Sequence, residues 1–353
     1  MNKMQAWNGV FGFSKYRGAV SPDYTVFKPI ESVDARFYAY LFSCVHLINE
    51  FRKCSKGIGT AFLRLYTEDF GNISVPLPPL PTQKAIANFL DRKTAAIDAL
   101  IEKKEKLPKL LAEKRSALIN QAVTKGLDPN VPMKDSGIPW IGEIPAHWEI
   151  IPLGYRVSMQ GGSTPSKQDE RFWGGDIPWV SPKDMKRFEI DDTIDKLTSD
   201  ALEATSIRLI EPGATLVVVR GMILARKLPV GLSVVPCTIN QDMKAIVPGK
   251  GLDARYLSWQ LDARTQEAMS LIEEAGHGTK TFRTDLFTKM KILVPPVSEQ
   301  REIITRLERK LESYDSVDGN TRVSIERLKE YRQSLITAAV TGQLEIPTEE
   351  SLR

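Results

Sequence analysis

Residues that could carry out catalysis are few and scattered in this sequence. The three histidines, His46, His147 and His277, stand far apart, and none lies in a His-Glu-x-x-His zinc motif. Neither a Gly-x-x-x-x-Gly-Lys-[Ser/Thr] phosphate loop nor a Gly-x-Ser-x-Gly nucleophile elbow occurs. Glu102 and Lys104 lie on a predicted helix without a second carboxylate, which indicates a solvated helix face. We therefore predict a protein without a catalytic site.

Loops rich in glycine, hydroxyl and basic residues offer a different chemistry, contact with nucleic acid. The backbone amides and the cation of residues 161–167 suit a phosphate backbone, and residues 174–185 carry side chains able to contact base edges. From these and neighbouring loops we predict the following DNA-contacting residues: Gly162, Ser163, Thr164, Ser166, Lys167, Ser181, Lys183, Asp184, Arg220, Lys227, Gln241, His277, Thr279, Lys280, Lys56 and Thr60.

These segments also have purely structural explanations, which the sequence leaves open. Residues 161–167 and 240–242 are equally typical of ordinary hydrogen-bonded turns. Trp173 and Trp179 are more typical of a core than of a platform for base stacking. Residues 276–280 have a counterpart at 56–60, each just before a long predicted helix, and this repetition favours a shared contact with DNA.

The chain contains an internal repeat. Residues 78–86 recur as residues 295–303, 217 positions later, and residues 34–37 recur as 253–256, 219 positions later. Such spacing predicts a tandem duplication. Residues 138–218 have no counterpart in the first copy, so we expect that copy to lack its opening portion and the chain to begin inside a domain.

Two long amphipathic helices are predicted, one in each copy. Apolar residues recur every three or four positions over residues 82–124 and 298–341, with Ser298 as a plausible N-cap. Pro108 predicts a kink or a break, and residues 318–320 form a weak point in the second helix. Neither copy of the repeat can bury the apolar face of so long a helix by itself. We therefore expect the two helices to pair as an antiparallel coiled coil. The alternative is that each packs only on its own domain.

The rest of the chain alternates short β-rich runs with Gly/Pro-rich loops, as in residues 214–219 and 291–294, and has one helical pattern over 254–273. The predicted fold class is therefore mixed α/β recognition domains plus two long antiparallel coiled-coil spacer helices, in a tandem duplication. The predicted division is a partial first domain at 1–78, a first helix at 79–126, a complete second domain at 127–296, a second helix at 297–345 and a tail at 346–353.

Composition limits the class of protein. A hydrophobic fraction of 42% and a charged fraction of 26% are typical of a globular chain, and a net charge of +4 permits a polyanionic partner without requiring one. The three cysteines form no Cys-x-x-Cys pair, and the chain has no apolar run of signal-peptide or membrane-spanning length. We expect a cytoplasmic protein.

In their order along the chain, several segments resemble the specificity subunit of type I restriction-modification systems. They are residues 140–148 at the opening of a domain, 162–166, 173–179, Pro295 and Pro296 followed by Gln300, and 118–127 at the end of the first helix. The resemblance implies a non-catalytic subunit in which two target recognition domains each read one half of a bipartite DNA site. It also implies that the helices set the distance between the two halves.

The resemblance further implies partners: double-stranded DNA, two methyltransferase subunits and restriction-translocation subunits. S-adenosylmethionine, ATP and Mg²⁺ would then belong to those subunits and not to this chain. Six helix residues are expected to contact the partner subunits: Gln83, Ile86, Leu90, Gln300, Ile303 and Leu307. Because the first recognition domain is incomplete, unpaired strand edges and exposed apolar surface are expected at Trp7, Phe11 and Phe13, and either the chain is a truncated product or another polypeptide completes it.

A second function remains open, that of a coiled-coil adaptor whose globular domains bind protein and not DNA. The mild net charge is compatible with it. Basic side chains clustered on one face would favour DNA recognition, whereas an even scatter would favour the adaptor.

Overall fold

The structure is a computed structural model, and it describes residues 1–14, 16–57, 63–274 and 279–346. It divides into two compact units, which we call the first unit (Met1–Lys109 with Val317–Arg353) and the second unit (Leu110–Ser316). None of the helices in these described ranges is both long and apolar enough to cross a membrane.

The described residues form the following helices: α1 (Ala35–Phe42), α2 (Val45–Cys54), α3 (Thr67–Gly71), α4 (Leu80–Glu105), α5 (Leu107–Lys125), α6 (Ser199–Ala204), α7 (Ala254–Ala263), α8 (Thr265–Met269), α9 (Thr284–Phe287) and α10 (Val297–Val340). The strands are β1 (Met133–Asp135), β2 (Glu143–Pro145), β3 (Glu149–Pro152), β4 (Val157–Gly161), β5 (Trp173–Val180), β6 (Glu189–Ile190), β7 (Lys196–Leu197), β8 (Thr215–Val218), β9 (Val230–Ser233), β10 (Thr238–Ile239), β11 (Met243–Pro248), β12 (Ile272–Glu274), β13 (Lys280–Phe282) and β14 (Lys291–Val294).

The first unit is built from helices. Asp34 caps α1, because its side chain accepts hydrogen bonds from the amides of Arg36 and Phe37. The apolar face of α1 is buried with residues of α2 and α4 and with Ile336 and Ala339 of α10. An ion pair between Asp98 of α4 and Arg332 of α10, 2.9 Å apart, lies in the same unit.

The second unit is built around a five-stranded sheet with the order β4-β11-β8-β9-β6. The central strand, β8, is antiparallel to both neighbours, and all four of its residues are buried. Its run of Thr, Leu and Val suits a strand that is covered on both faces. Helix α7 packs on this sheet, with the Ser258 hydroxyl 2.8 Å from the Thr215 hydroxyl. Smaller sheets, β10-β5-β7, β1-β2, β12-β13 and β14-β3, complete the unit.

The long helices confirm some sequence predictions and correct others. The predicted break occurs at Lys106, between α4 and α5 and just before Pro108. Helix α10 is continuous over its 44 residues, including 318–320, so the predicted weak point does not interrupt it. Ser298 is not the N-cap, because the helix already begins at Val297 and the Pro296 carbonyl accepts the first amide hydrogen bonds.

The second unit also refines the strand and helix predictions. The runs at 214–219 and 291–294 are strands β8 and β14, as predicted. The single helical pattern predicted over 254–273 is in fact two helices, α7 and α8, followed by the start of β12. Arg264 lies between the two helices and has non-helical backbone angles, which divides the pattern.

Candidate nucleic-acid interface

The five-stranded sheet brings most of the predicted DNA-contacting segments to one edge. Strands β4 and β8 both run antiparallel to β11, so the ends of β4 and β8 lie beside the start of β11. Residues 162–167 follow β4, Arg220 follows β8, and Gln241 precedes β11. Lys227 comes shortly before β9, whose first residue pairs near the end of β8. We call this side of the sheet the loop edge.

Hydrogen bonds tie the loops of this edge together. The Ser163 amide donates to the Ile239 carbonyl over 3.0 Å, and the Asn240 amide donates to the Val180 carbonyl over 3.0 Å. The Trp179 indole donates to the Ser163 carbonyl over 3.1 Å. The loop after β5 is therefore joined to the loops that follow β4 and precede β11.

Gly162 lies where these loops cross most closely. A Cβ atom at this position would stand 2.0 Å from the Ile239 carbonyl oxygen and 2.4 Å from that of Asn240. Both contacts are with backbone, which cannot swing aside as a long side chain can. Glycine is therefore required here by close approach of the chain, and it holds residues 163–167 in place at the edge.

Three of the cations predicted to contact DNA are exposed at the loop edge and have no ion-pair partner among the described residues: Lys167, Arg220 and Lys227. Other predicted cations are engaged. Lys183 pairs with Asp195 over 2.6 Å, and Lys280 pairs with Glu274 over 2.6 Å. Lys56, in the first unit, pairs with Asp69 over 2.8 Å. The unpaired cations are the ones whose charge is available to a polyanion.

Several predicted contact residues are used inside the protein. Ser181 is buried, and both its amide and its hydroxyl donate to the Asp184 carboxylate, at 2.9 and 2.7 Å. The other oxygen of Asp184 accepts from the Ile194 amide over 3.1 Å. These two residues fix the loop after β5 and have little capacity left for a ligand.

The polar turn before β11 is likewise internally hydrogen-bonded. Asn240 is buried, and its side chain accepts from the Asp242 amide over 3.1 Å. Gln241 is exposed, and its carbonyl oxygen accepts from the Thr164 hydroxyl. The Trp179 side chain is buried and makes an edge contact with Trp173, 5.1 Å between ring centroids, so the core explanation holds for Trp179.

The remaining predicted residues lie elsewhere or outside the described ranges. Ser166 is exposed at the loop edge, with its carbonyl accepting from the Trp173 indole over 3.0 Å. Thr279 is half-buried and directly precedes β13. The Lys280 carbonyl accepts from the amide of Gly221, next to Arg220, over 3.0 Å. Two further predictions, His277 and Thr60, fall outside the residues that the structure describes.

The six residues predicted to contact partner subunits are placed inside the units and not on their surfaces. All are buried: Gln83, Ile86, Leu90, Gln300, Ile303 and Leu307. The four apolar ones belong to the two large cores, and burial in these cores leaves them no surface for a separate chain. A partner subunit would have to contact other, exposed residues of the helices.

The two buried glutamines make matching hydrogen bonds that sequence reasoning missed. Gln300 accepts from the Asp253 amide over 2.8 Å and donates to the carbonyls of Gly251 and Pro295. Gln83 accepts from the Asp34 amide over 2.8 Å and donates to the corresponding carbonyls, those of Ser32 and Pro78. The repeat of both glutamine and aspartate in the sequence was the signal for this arrangement.

Two observations on the described parts of the chain concern metal binding and thiol chemistry. No group of three or more His, Cys, Asp or Glu side chains there could hold a metal ion. Burial raises the pKa of the Cys237 thiol to about 12, so this cysteine is neutral at physiological pH and a poor nucleophile. The residues at the loop edge itself carry amides, hydroxyls and cations, which suit the binding of a polyanion.

Known proteins resemble this chain over much of its length. The sequence profile described as the type I restriction modification DNA specificity domain matches residues 4–109 and 145–327. The chain is 34% identical over 182 residues to the EcoR124I/EcoR124II specificity subunit of Escherichia coli, covering 51% of this chain and 44% of that protein. It is 25% identical over 322 residues to the MjaVIII specificity subunit of Methanocaldococcus jannaschii, covering 87% of this chain and 70% of that protein.

The fold is also found in a solved structure. The HsdS subunit from Thermoanaerobacter tengcongensis aligns with a TM-score of 0.56 at 17% identity, over 88% of this chain and 71% of that one. The matched region spans less than half the length of the Escherichia coli relative. The family profile matches well over half of the residues of the present chain, so this chain belongs to the type I restriction modification DNA specificity family.

Proposed function

We propose that this chain is the DNA sequence-recognition subunit of a type I restriction-modification complex, and that its second unit reads one half of a bipartite site. The observation that carries the proposal is the loop edge. There the ends of β4 and β8 lie beside the start of β11, and three predicted cations, Lys167, Arg220 and Lys227, are exposed without an ion-pair partner among the described residues.

The proposed contacts with DNA are of two kinds, with phosphates and with base edges. Lys167, Arg220 and Lys227 contact phosphates, because long basic side chains without an ion-pair partner can exchange counterions for the DNA backbone. The linked side chains of Thr164 and Gln241 are exposed enough to reach base edges, and an amide such as that of Gln241 is suited to adenine. Ser181 and Asp184 position the neighbouring loop.

The two copies form a tandem duplication joined by antiparallel spacer helices, in the division predicted from the sequence. The matching hydrogen bonds of Gln83 and Gln300 support the duplication. The cores support antiparallel pairing. In the second unit, Ile119 of α5 shares a buried cluster with Leu307 and Leu311 of α10, and the 3.0 Å ion pair of Arg115 with Asp315 continues the pairing in the opposite sense along the two helices.

The complex supplies the chemistry that this chain lacks. Two methyltransferase subunits bind the helices through exposed residues, and restriction-translocation subunits join them. S-adenosylmethionine, ATP and Mg²⁺ are bound by those subunits, so this chain is non-catalytic. Such a complex acts on cellular DNA, which is consistent with a cytoplasmic location and with the free thiols of the three cysteines.

The test is selection of DNA by the assembled protein. The chain is purified with its methyltransferase partner, incubated with duplexes that carry a randomised segment, and the bound duplexes are sequenced. We expect a defined half-site that becomes weaker or is lost in Gln241→Ala. A folded complex that enriches no sequence would refute recognition and would favour the adaptor, which binds protein and shows no base preference.

A further inference from the structure

The connection between β8 and β9, residues 219–229, exposes the large apolar side chain of Met222 at the loop edge. The accessible fraction of Met222 is 68%, whereas Leu224 and Leu228 in the same connection are each 1% exposed. A single exposed apolar residue is common on protein surfaces and indicates no function by itself. The backbone and the charges around Met222 therefore decide whether it has a role.

The backbone around Met222 is held in place on both sides. The amide of Gly221, the preceding residue, donates to the Lys280 carbonyl over 3.0 Å and so joins the connection to β13. Residues 222–225 form one turn of 3-10 helix, and Leu224 of this turn is buried in the core of the second unit. The exposure of the Met222 side chain is thus a property of a well-anchored turn.

The charges around Met222 all have the same sign. Arg220 stands two positions before it, and Arg226 and Lys227 stand four and five positions after it. All three are exposed and have no ion-pair partner among the described residues. No acidic residue occurs in the sequence from 212 to 241. The ligand that suits this turn therefore combines negative charges with an apolar group between them.

The major groove of DNA offers this combination. Phosphates line the groove on both sides, and each thymine presents its C5 methyl group among the polar atoms of the base edges. Methionine suits such a contact, because its side chain is unbranched and its thioether is polarizable, so it can adapt to the shape of a methyl group.

We propose that Met222 contacts the C5 methyl group of a thymine and thereby selects thymine at one position of the half-site. Arg220, Arg226 and Lys227 bind the phosphates around it. The contact is assigned to the major groove because Gln241, at the same edge of the sheet, carries the amide suited to an adenine edge there. This inference rests on the proposed function and adds to it one base and the chemistry that recognises it.

The experiment removes the methyl group from the DNA and the thioether from the protein. The chain is purified with its methyltransferase partner, and each thymine of the selected half-site is replaced in turn by uracil, which lacks only the methyl group. At one position we expect uracil to weaken binding about fourfold, the effect of one buried methyl group. Met222→Gln, which keeps the length of the side chain, should bind thymine and uracil equally at that position, and Met222→Leu should restore the preference for thymine.

Tyr155→Ala is the matched control, because Tyr155 is 81% exposed and lies two residues before β4, at the opposite edge of the sheet. This variant should keep the full preference for thymine, and circular dichroism confirms that every variant folds. The inference alone is overturned if a half-site is selected but uracil is tolerated at every position, or if Met222→Gln keeps the wild-type preference. It is also overturned if Met222→Gln weakens binding equally to thymine and uracil, which would indicate a side chain wedged between base pairs. If no half-site is selected at all, the proposed function fails and this inference fails with it.

Discussion

At the scale of single residues, the value of a cation at the loop edge depends on its neighbours. Lys183 and Lys280 each lie 2.6 Å from a carboxylate, so the net charge that each pair presents to DNA is close to zero. Lys167, Arg220 and Lys227 carry no such partner among the described residues. Counterion release upon DNA binding requires an uncompensated charge, so we assign phosphate contact to the second group.

Substitution of these cations gives a measurable difference in salt dependence. We expect Lys167→Ala and Arg220→Ala each to weaken DNA binding and to reduce the slope of log affinity against log salt by about one. Lys250→Ala is the matched control, because Lys250 is also exposed but follows β11 at the opposite edge of the sheet. Binding is measured by fluorescence anisotropy between 50 and about 200 mM salt. An equal loss of slope in Lys250→Ala would mean that the loop edge is not the contact surface.

The buried glutamines allow a residue-level test of stability. Gln300 is fully buried, and its side chain satisfies three backbone groups, those of Asp253, Gly251 and Pro295. Gln300→Ala leaves these groups without a partner, and we expect it to lower the free energy of unfolding by about 3 kcal/mol. Urea denaturation measures the change. The exposed Gln266→Ala should change the free energy of unfolding by less than about 0.5 kcal/mol. If both variants lowered it by the same amount, the hydrogen bonds of Gln300 would not stabilise the fold.

At the scale of elements, the glycines of the long helices differ in what they require. Gly319 lies inside α10, and a Cβ atom there would meet nothing within 4 Å. Gly126 ends α5 with a φ of +73°, a conformation that strains any residue with a side chain. We expect Gly319→Ala to raise the free energy of unfolding by about 0.5–1 kcal/mol and Gly126→Ala to lower it by about 1 kcal/mol. Thermal unfolding followed by circular dichroism distinguishes the two signs, and destabilisation by Gly319→Ala would contradict a regular helix at that position.

The elements also show how far sequence reasoning reaches. The break before Pro108 was predictable, because proline has no backbone amide hydrogen to donate within a helix. Strand β8 was predictable from its run of branched apolar residues. The pairing of Lys183 with Asp195 was not predictable, since it depends on a turn that brings β5 and β7 together. The burial of Gln83 was missed for the same reason, because its partners come from a loop about fifty residues earlier in the chain.

At the scale of the whole molecule, each of the two units has its own large hydrophobic core. The core of the second unit is the larger and contains the five-stranded sheet, whereas the first unit opens an apolar cavity to solvent. Since stability comes mainly from buried apolar surface, the two units should differ in stability. A single free energy of unfolding would then not describe this protein.

Calorimetry should therefore resolve two unfolding transitions, with the first unit melting at the lower temperature. The matched glutamines assign them, because each occupies the same position in its own unit. Gln83→Ala should lower only the lower transition and Gln300→Ala only the upper one, each by several degrees if about 2–3 kcal/mol is lost. A single transition that both variants shift equally would mean that α10, which runs through both units, couples them into one cooperative structure.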